Sequence, residues 1–344
     1  MKYTTKILLL IIAVNIFLLN VLFAQNNTLK PDVSPPWYKR FVGKVGNETG
    51  IIHIQKSYRN VCVIIKTPSR NTSFKYFSIL TDNKIEAKPY SSRDEIVFWG
   101  EVNANKLTGK LTFTTDIEVN IEAEEDYTHA AKVKLYEYSY MEEGPFSTFA
   151  NEHNKYFYHY NLSVVPEYNV ERFEAKVVKN GFMKQITAGL KGEGEGINAE
   201  YGFWEDLHDE QVIFNQNNIL IVSQTDYAFT GGAHGNYNTT YRHYDLEKNK
   251  LITVNDVFVK GYEKTVKPLL MDAFKENNLD MFFIDEKKGI QPSPDFKITP
   301  QKIYFLYQPY EIAPYVWGVV ELGIPLNKLK SVIKPDNPLK RIME

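Results

Sequence analysis

Short runs of mixed apolar and polar residues fill the first third of the chain. They are rich in Ile, Val, Phe, Tyr and Thr and are separated by polar turns such as TDNK, SSRDE and NANK. Runs of this length and composition between turn-forming residues are typical of β-strands. The predicted strands are GIIHIQKSY, NVCVIIKT, KYFSILT, DEIVFWGEV and KLTGKLTFTT. They indicate a small all-β domain over residues 37–122, a meander that closes into a barrel or a sandwich.

Beyond residue 126 the pattern mixes strands with helices. The segment EQVIFNQNNILIVSQTDYAF predicts a hairpin that turns at Asn217 and Asn218. The segment VERFEAKVVKNGFMKQITAGL has roughly helical spacing, and Pro268 would kink or start a second helix. The apolar stripe of that second helix is Tyr262, Val266, Leu269, Leu270 and Phe274. Because strands and helices do not alternate strictly, we predict an α+β domain, an antiparallel sheet with helices, over residues 126–340.

The first 24 residues have the pattern of a signal peptide. Two lysines precede an uncharged apolar stretch, which ends at the small residue Ala24. This arrangement predicts export to the periplasm, the cell surface or the medium, with cleavage after Ala24. The stretch approaches the length that spans a bilayer, so an uncleaved membrane anchor is the alternative.

Charge and cysteine content narrow the classes of partner. Removing residues 1–24 takes away two lysines and no acidic residue, which leaves 38 basic and 42 acidic residues and a net charge of −4. No Lys/Arg run is present, so we expect no nucleic-acid partner and, after cleavage, no membrane contact. The one cysteine, Cys62, excludes an internal disulfide and is expected to be a small buried strand residue.

The stretch TGGAHGNY is the first candidate for a functional site. Gly231, Gly232 and Gly235 permit a sharp turn between two strands and place His234 at its tip. The stretch lacks the Gly-Lys-Ser/Thr ending of a phosphate loop and the G-x-G-x-x-G pattern of dinucleotide sites. His234 and His243 do not form a zinc motif, and no G-x-S-x-G nucleophile elbow is present, so no metal or cofactor is predicted.

The stretch PYEIAP is the second candidate. Pro309 and Pro314 fix a bend around Glu311, which lies in an otherwise apolar and aromatic segment. A carboxylate in such surroundings needs hydrogen-bond donors or a charged partner. One hypothesis is that Glu311 accepts backbone or tyrosine donors, or faces His234 or Arg242. The alternative is that Glu311 only locks the bend.

The two stretches together resemble the domain-of-unknown-function family 3298, often preceded by the related family 4163. The resemblance is carried by TGGAHG, YDLEKNKLITVNDVF and IYFLYQPYEIAPYVWGVVELGIPLNKL, and it spans roughly residues 126–334. The family includes the extracellular part of the anti-sigma factor RsiV, which binds lysozyme, and the N-terminal module of the peptidoglycan deacetylase PdaC. In the deacetylase, catalysis belongs to a separate domain, which this chain lacks.

These observations favour a non-catalytic binding module of the cell envelope that recognises a protein, such as lysozyme, or a cell-wall glycan. The expected ligand-binding residues are Gly231, Gly232, His234, Tyr237, Tyr310, Glu311, Tyr315 and Trp317. The alternative is a hydrolase or deacetylase acting on envelope glycans through His234 and Glu311. In that case Asp226 or Asp245 would orient the histidine. The oligomeric state is open.

Overall fold

The computed structural model describes most of the chain beyond the N-terminal 34 residues. The described ranges are 35–57, 59–76, 80–81, 83–87, 96–113, 117–144, 155–180, 203–229, 232–277, 284–285 and 288–343. The predicted signal peptide lies outside them. Within them, no helix is both long and apolar enough to cross a membrane.

The N-terminal part forms a nine-stranded antiparallel sheet in the order β4-β3-β2-β1-β9-β8-β7-β6-β5. Its strands are β1 Trp37–Val45, β2 Glu48–Lys56, β3 Val61–Thr67, β4 Arg70–Tyr76, β5 Leu80–Thr81, β6 Lys84–Ala87, β7 Val97–Asn103, β8 Lys106–Thr112 and β9 Glu118–Glu125. Because β6 also contacts β3 and β4, the sheet curls around an apolar cluster that includes Phe41, Ile54, Phe98 and Leu107. Cys62 is buried on β3, as expected.

The second sheet has six strands in chain order. They are β10 Val133–Gly144, β11 Lys155–Pro166, β12 Phe203–Gln216, β13 Ile219–Phe229, β14 Asn236–Asp245 and β15 Lys250–Ile252. The predicted hairpin is present between β12 and β13, with positive φ at Asn217 and Asn218. Four of the five strand pairings in this sheet are antiparallel, as predicted, but β11 and β12 are parallel. The 36 residues between those two strands are long enough for the crossover that a parallel pair needs.

A third, three-stranded sheet and short helices complete the C-terminal part. The strands are β16 Phe296–Ile298, β17 Lys302–Tyr307 and β18 Val320–Pro325. The helices are α1 Val170–Asn180, α2 Val254–Val257, α3 Glu263–Glu276, α4 Leu326–Leu329 and α5 Lys340–Met343. The predicted stripe of α3 is confirmed, because Val266, Leu270 and Phe274 are buried in the core against β17 and β18, and Pro268 lies inside the helix.

Polar side chains of the first sheet occupy the free edge of β12. Strand β11 pairs with β12 only as far as Asp209, so the backbone beyond it needs other partners. The Gln55 amide supplies two hydrogen bonds, donating to the Glu210 carbonyl at 2.6 Å and accepting from the Val212 N–H at 2.9 Å. Gln55 therefore takes the place of a neighbouring strand. Pro36–Glu344 form one compact unit, so a separate N-terminal all-β domain stays a prediction.

Candidate functional site

The TGGAHG loop and the PYEIAPY bend meet on one surface. The Tyr310 hydroxyl lies 3.2 Å from Nε2 of His234. The Tyr315 ring stacks on the His234 ring with 3.8 Å between centroids, and its hydroxyl donates to the Gly235 carbonyl at 2.6 Å. We call this region the His234 surface. It consists of His234, Gly235, Tyr310, Tyr315 and the exposed residues Val316 and Trp317 of the 3₁₀ turn Tyr315–Trp317.

Close packing beneath the loop fixes its shape. Gly235 lies against the Tyr227 ring, and a Cβ added there would come within 2.4 Å of a ring carbon, so no other residue fits without displacing Tyr227. Gly232 has a φ of +94°, which favours glycine. Nδ1 of His234 is 3.0 Å from the carbonyl oxygen of Gly235. Gly231 lies outside the described residues.

Hydrogen bonds within the bend hold Tyr310 in an unusual conformation. Tyr310 has a φ of +72°, a region that non-glycine residues rarely adopt. The Glu311 carboxylate accepts from the backbone N–H of Gln308 at 2.7 Å, and the Glu311 N–H donates to the Gln308 carbonyl at 3.0 Å. Glu311 is exposed and closes the turn, which is the bend-locking role considered above as the alternative.

A second glutamine, Gln308, joins the bend to the sheet. Its side-chain amide donates to the Thr239 carbonyl at 2.9 Å and accepts from the Thr239 N–H at 2.9 Å. Thr239 lies on the stretch of β14 that β15 does not pair with. Gln308 therefore pairs with β14 as Gln55 pairs with β12. This contact determines where Tyr310 and Tyr315 lie relative to His234.

We expect Gln308→Leu to lower the free energy of unfolding by about 2 kcal/mol, because both backbone groups of Thr239 lose their partner. Urea unfolding measures this change, and faster hydrogen exchange of the Thr239 amide locates it. Gln301→Leu is the matched control, since Gln301 is exposed and only its backbone makes a described hydrogen bond. Equal stability of Gln308→Leu and wild type would contradict this role.

Large apolar groups stay exposed on the His234 surface. Val316 is 85% exposed, Tyr310 52% and Trp317 50%. Tyr237 meets the edge of the Tyr315 ring with 5.8 Å between centroids. Burial raises the pKa of Tyr315, so its hydroxyl stays protonated at neutral pH and keeps donating to the Gly235 carbonyl. The result is an ordered surface of exposed aromatic rings.

The contacts expected for a hydrolytic site are not the ones that form. In the described part of the chain, His234 bonds to a tyrosine hydroxyl and a carbonyl oxygen, whereas the carboxylate of Glu311 bonds to Gln308. Asp226 binds His208 instead of His234, and Asp245 binds Arg341. The proposed pairing of Glu311 with Arg242 is also wrong, because Arg242 forms an ion pair with Glu210. No described carboxylate orients His234.

A separate charged cluster lies on β12, β13 and β14. Nδ1 of His208 is 2.6 Å from Asp226, and its Nε2 is 3.0 Å from Glu210. Glu210 also pairs with Arg242 and accepts from the Val164 N–H at 2.7 Å. Burial lowers the pKa of His208, but the two carboxylates outweigh it and raise the pKa to about 9. His208 is therefore cationic at neutral pH, and both of its ring nitrogens donate to these carboxylates.

A second histidine, His159, pairs with an aspartate on the neighbouring strand. Nδ1 of His159 is 2.9 Å from Asp206, and Nε2 is 3.1 Å from the Tyr138 hydroxyl. Burial raises the pKa of Tyr138 to a value above its normal range, so the hydroxyl is not activated as a nucleophile. Among the described ranges, no group of three His, Cys, Asp or Glu residues has the geometry to hold a metal ion.

Two solved structures are similar to part of the chain. A crystal structure of a DUF3298 family member from Bacteroides fragilis NCTC 9343 is 18% identical, covers 63% of this chain and 99% of its own, and has a TM-score of 0.45. A DUF3298 family protein from Pseudomonas aeruginosa PAO1 is 22% identical, covers 59% of this chain and 95% of its own, and has a TM-score of 0.42. No curated protein matches the chain.

One family model matches the chain, over the C-terminal segment 255–327. This segment contains the PYEIAPY bend but not the TGGAHG loop, so the resemblance to family 3298 is confirmed there. Its extension to residues 126–334, and the link to family 4163, stay predictions. Residues 255–327 match the family described as Protein of unknown function (DUF3298).

Proposed function

We propose that the chain is an exported, non-catalytic binding protein of the cell envelope, and that the His234 surface contacts a protein partner. The observation that carries the proposal is the exposure of Tyr310, Val316 and Trp317 on a bend that hydrogen bonds hold in place. Tryptophan and tyrosine on an ordered surface are the residues that dominate protein interfaces.

The composition of the surface favours a protein over a charged polymer. Val316 and the Trp317 ring offer apolar area, and the groups that hydrogen-bond within the surface are two tyrosine hydroxyls, the His234 ring and the Gly235 carbonyl. Removing such exposed apolar area from water stabilises a complex. A cell-wall glycan is the second candidate, because Tyr310 and Trp317 could also stack on sugar rings.

The test is retention of lysozyme and of insoluble peptidoglycan by the purified chain at micromolar concentration. We expect lysozyme to be retained, and Trp317→Ala to weaken retention about 30-fold, the effect of removing a central tryptophan worth about 2 kcal/mol. Tyr168→Ala, at an aromatic residue that is also exposed, is the control and should bind normally. Retention of peptidoglycan alone would favour the glycan, and retention of neither would refute the proposal.

A further inference from the structure

The outer face of the first sheet carries an isolated exposed tryptophan. Trp99, in the middle of β7, is 48% exposed, whereas its neighbours Phe98 and Gly100 are buried. It borders a groove of about 670 Å³ that runs over β6, β7, β8 and β9. About half of the Trp99 surface is exposed, and its ring is available to a ligand in this groove.

The strand register places polar side chains around Trp99. Glu86 and Lys110 lie directly opposite it on the two neighbouring strands, and Asn120 follows Lys110 on β9. A second row, two residues along, consists of Lys84, Glu101, Thr108 and Glu122. All of these side chains point away from the apolar cluster, because successive residues of a strand alternate between its faces. They line the groove together with the indole ring.

Paired glycines fix the floor of the groove. Gly100 and Gly109 face each other on β7 and β8. A Cβ on Gly109 would lie 2.3 Å from the carbonyl oxygen of Trp99 and 3.1 Å from Cα of Gly100. The close approach of the two backbones therefore depends on the absence of a side chain at Gly109, whereas a Cβ on Gly100 would meet the Phe98 ring at 2.5 Å. The strand register places Trp99 between Glu86 and Lys110.

The chemistry around the ring restricts the ligand. Lys110 forms an ion pair with Glu118, and Lys84 lies among three glutamates, Glu86, Glu101 and Glu122. The groove therefore has no excess of positive charge and does not select a polyanion such as nucleic acid or an anionic lipid. A protein hot spot requires further apolar area around its tryptophan, but the neighbours of Trp99 are charged or polar. A single ring surrounded by hydrogen-bonding groups matches a pyranose, which has an apolar C–H face and a rim of hydroxyls.

From this arrangement we propose that the outer face of β6–β9 binds a neutral polysaccharide chain, with one pyranose ring stacked on Trp99. Lysine, asparagine and threonine side chains donate to its hydroxyls and the glutamates accept from them. This site is separate from the His234 surface and does not depend on the function proposed for it. The ligand classes also differ, so each surface is tested without the other.

Isothermal titration of the full chain with chitohexaose and with cellohexaose tests the glycan site. We expect at least one of them to bind with a dissociation constant of about 1 mM or tighter. Trp99→Ala should weaken binding at least about tenfold, and Trp99→Phe should weaken it less, since a smaller ring keeps part of the stacking area. Trp317→Ala, on the His234 surface, should bind the sugar normally.

A second variant keeps the test independent of Trp99. Thr108→Arg places a long side chain in the groove at an exposed position and should abolish sugar binding while the unfolding midpoint stays unchanged. No binding of either sugar at about 5 mM would overturn the proposal, as would equal binding by wild type and Trp99→Ala. If Trp99→Ala instead abolishes retention of lysozyme, the groove is a protein interface and the glycan site is refuted.

Discussion

Replacing Arg341 with alanine is expected to lower the free energy of unfolding by about 3–5 kcal/mol. Arg341, on α5, donates from Nη2 to Oδ1 of Asp245 at 2.7 Å, and its Nη1 lies 2.9 Å from Glu247. Asp245 is completely buried, so the variant leaves a carboxylate without its cation in the interior. Urea unfolding at neutral pH measures the loss.

A double-mutant cycle separates this pair from the general effect of shortening a side chain. Asp245→Asn should recover part of the stability lost in Arg341→Ala, because a neutral amide needs no cation. Lys330→Ala, at an exposed basic residue of the same C-terminal region, is the control and should stay within about 0.5 kcal/mol of wild type. A loss in Arg341→Ala that Asp245→Asn leaves unchanged would show that the charge pair is not its cause.

The second large effect is a loss of stability at alkaline pH. The folded pKa of His208 is about 9 and its ordinary value is 6.5. A raised folded pKa gives stability that is complete below pH 6.5 and is lost as the pH rises through about 9. The loss amounts to about 3 kcal/mol, since each pKa unit corresponds to about 1.4 kcal/mol. It reflects the hydrogen bonds that protonated His208 makes with Asp226 and Glu210.

Urea unfolding between pH 6 and pH 10 checks this expectation in wild type and His208→Gln. The variant should be less stable at pH 6 and should have a flatter profile through pH 9. Glu205 changes stability in a lower range, because burial raises its folded pKa to about 7 and stability falls as the pH rises towards that value. Glu205→Gln therefore flattens the acidic part of the profile only. A wild-type profile that is level from pH 7 to pH 9 would exclude the His208 contribution.

Local features of the fold follow from sequence because they depend on few residues. The turn at Asn217 and Asn218 needs only two residues that tolerate positive φ. The apolar stripe of α3 needs only helical spacing, and Pro268 is accommodated inside the helix by its packing. The sequence pattern does not predict β1 and β9. Lys39 and Arg40 interrupt the apolar positions of β1, and a series of glutamates interrupts those of β9. The parallel pairing of β11 with β12 is set by distant residues and has no local signal.

The His208 cluster shows why part of the chemistry could not be derived from sequence. Counting outward from the hairpin turn places Asp209 opposite Asp226. A bulge between Val212 and Phe214 shifts the register by one residue and puts His208 there instead. Since the side-chain period of a strand is two, this shift also changes which side chains share a face. No sequence feature of the segment QVIFNQ predicts the bulge.

The candidate site was predictable in location and not in its contacts. The glycines of TGGAHG and the prolines of PYEIAPY mark two sharp bends, and these bends do meet. The partners of His234 are Tyr310 and Tyr315, whereas one of the hypotheses placed Glu311 opposite it. Glu311 is used locally because the turn brings the Gln308 N–H within 2.7 Å. Gln308 belongs to no sequence motif. Its hydrogen bonds to Thr239 become evident only in the structure, where its side chain lies against the unpaired edge of β14.

The two glutamine side chains that bond to strand backbones also bear on self-association. An unpaired strand edge offers N–H and carbonyl groups to any extended peptide, including a second copy of the same chain. Gln55 and Gln308 satisfy those groups at Glu210, Val212 and Thr239. Each glutamine side chain offers a single amide group, and a further strand cannot pair with it as it would with a continuous backbone. The sheet is therefore closed at both places against aggregation, and losing either amide would expose a template for intermolecular β-pairing.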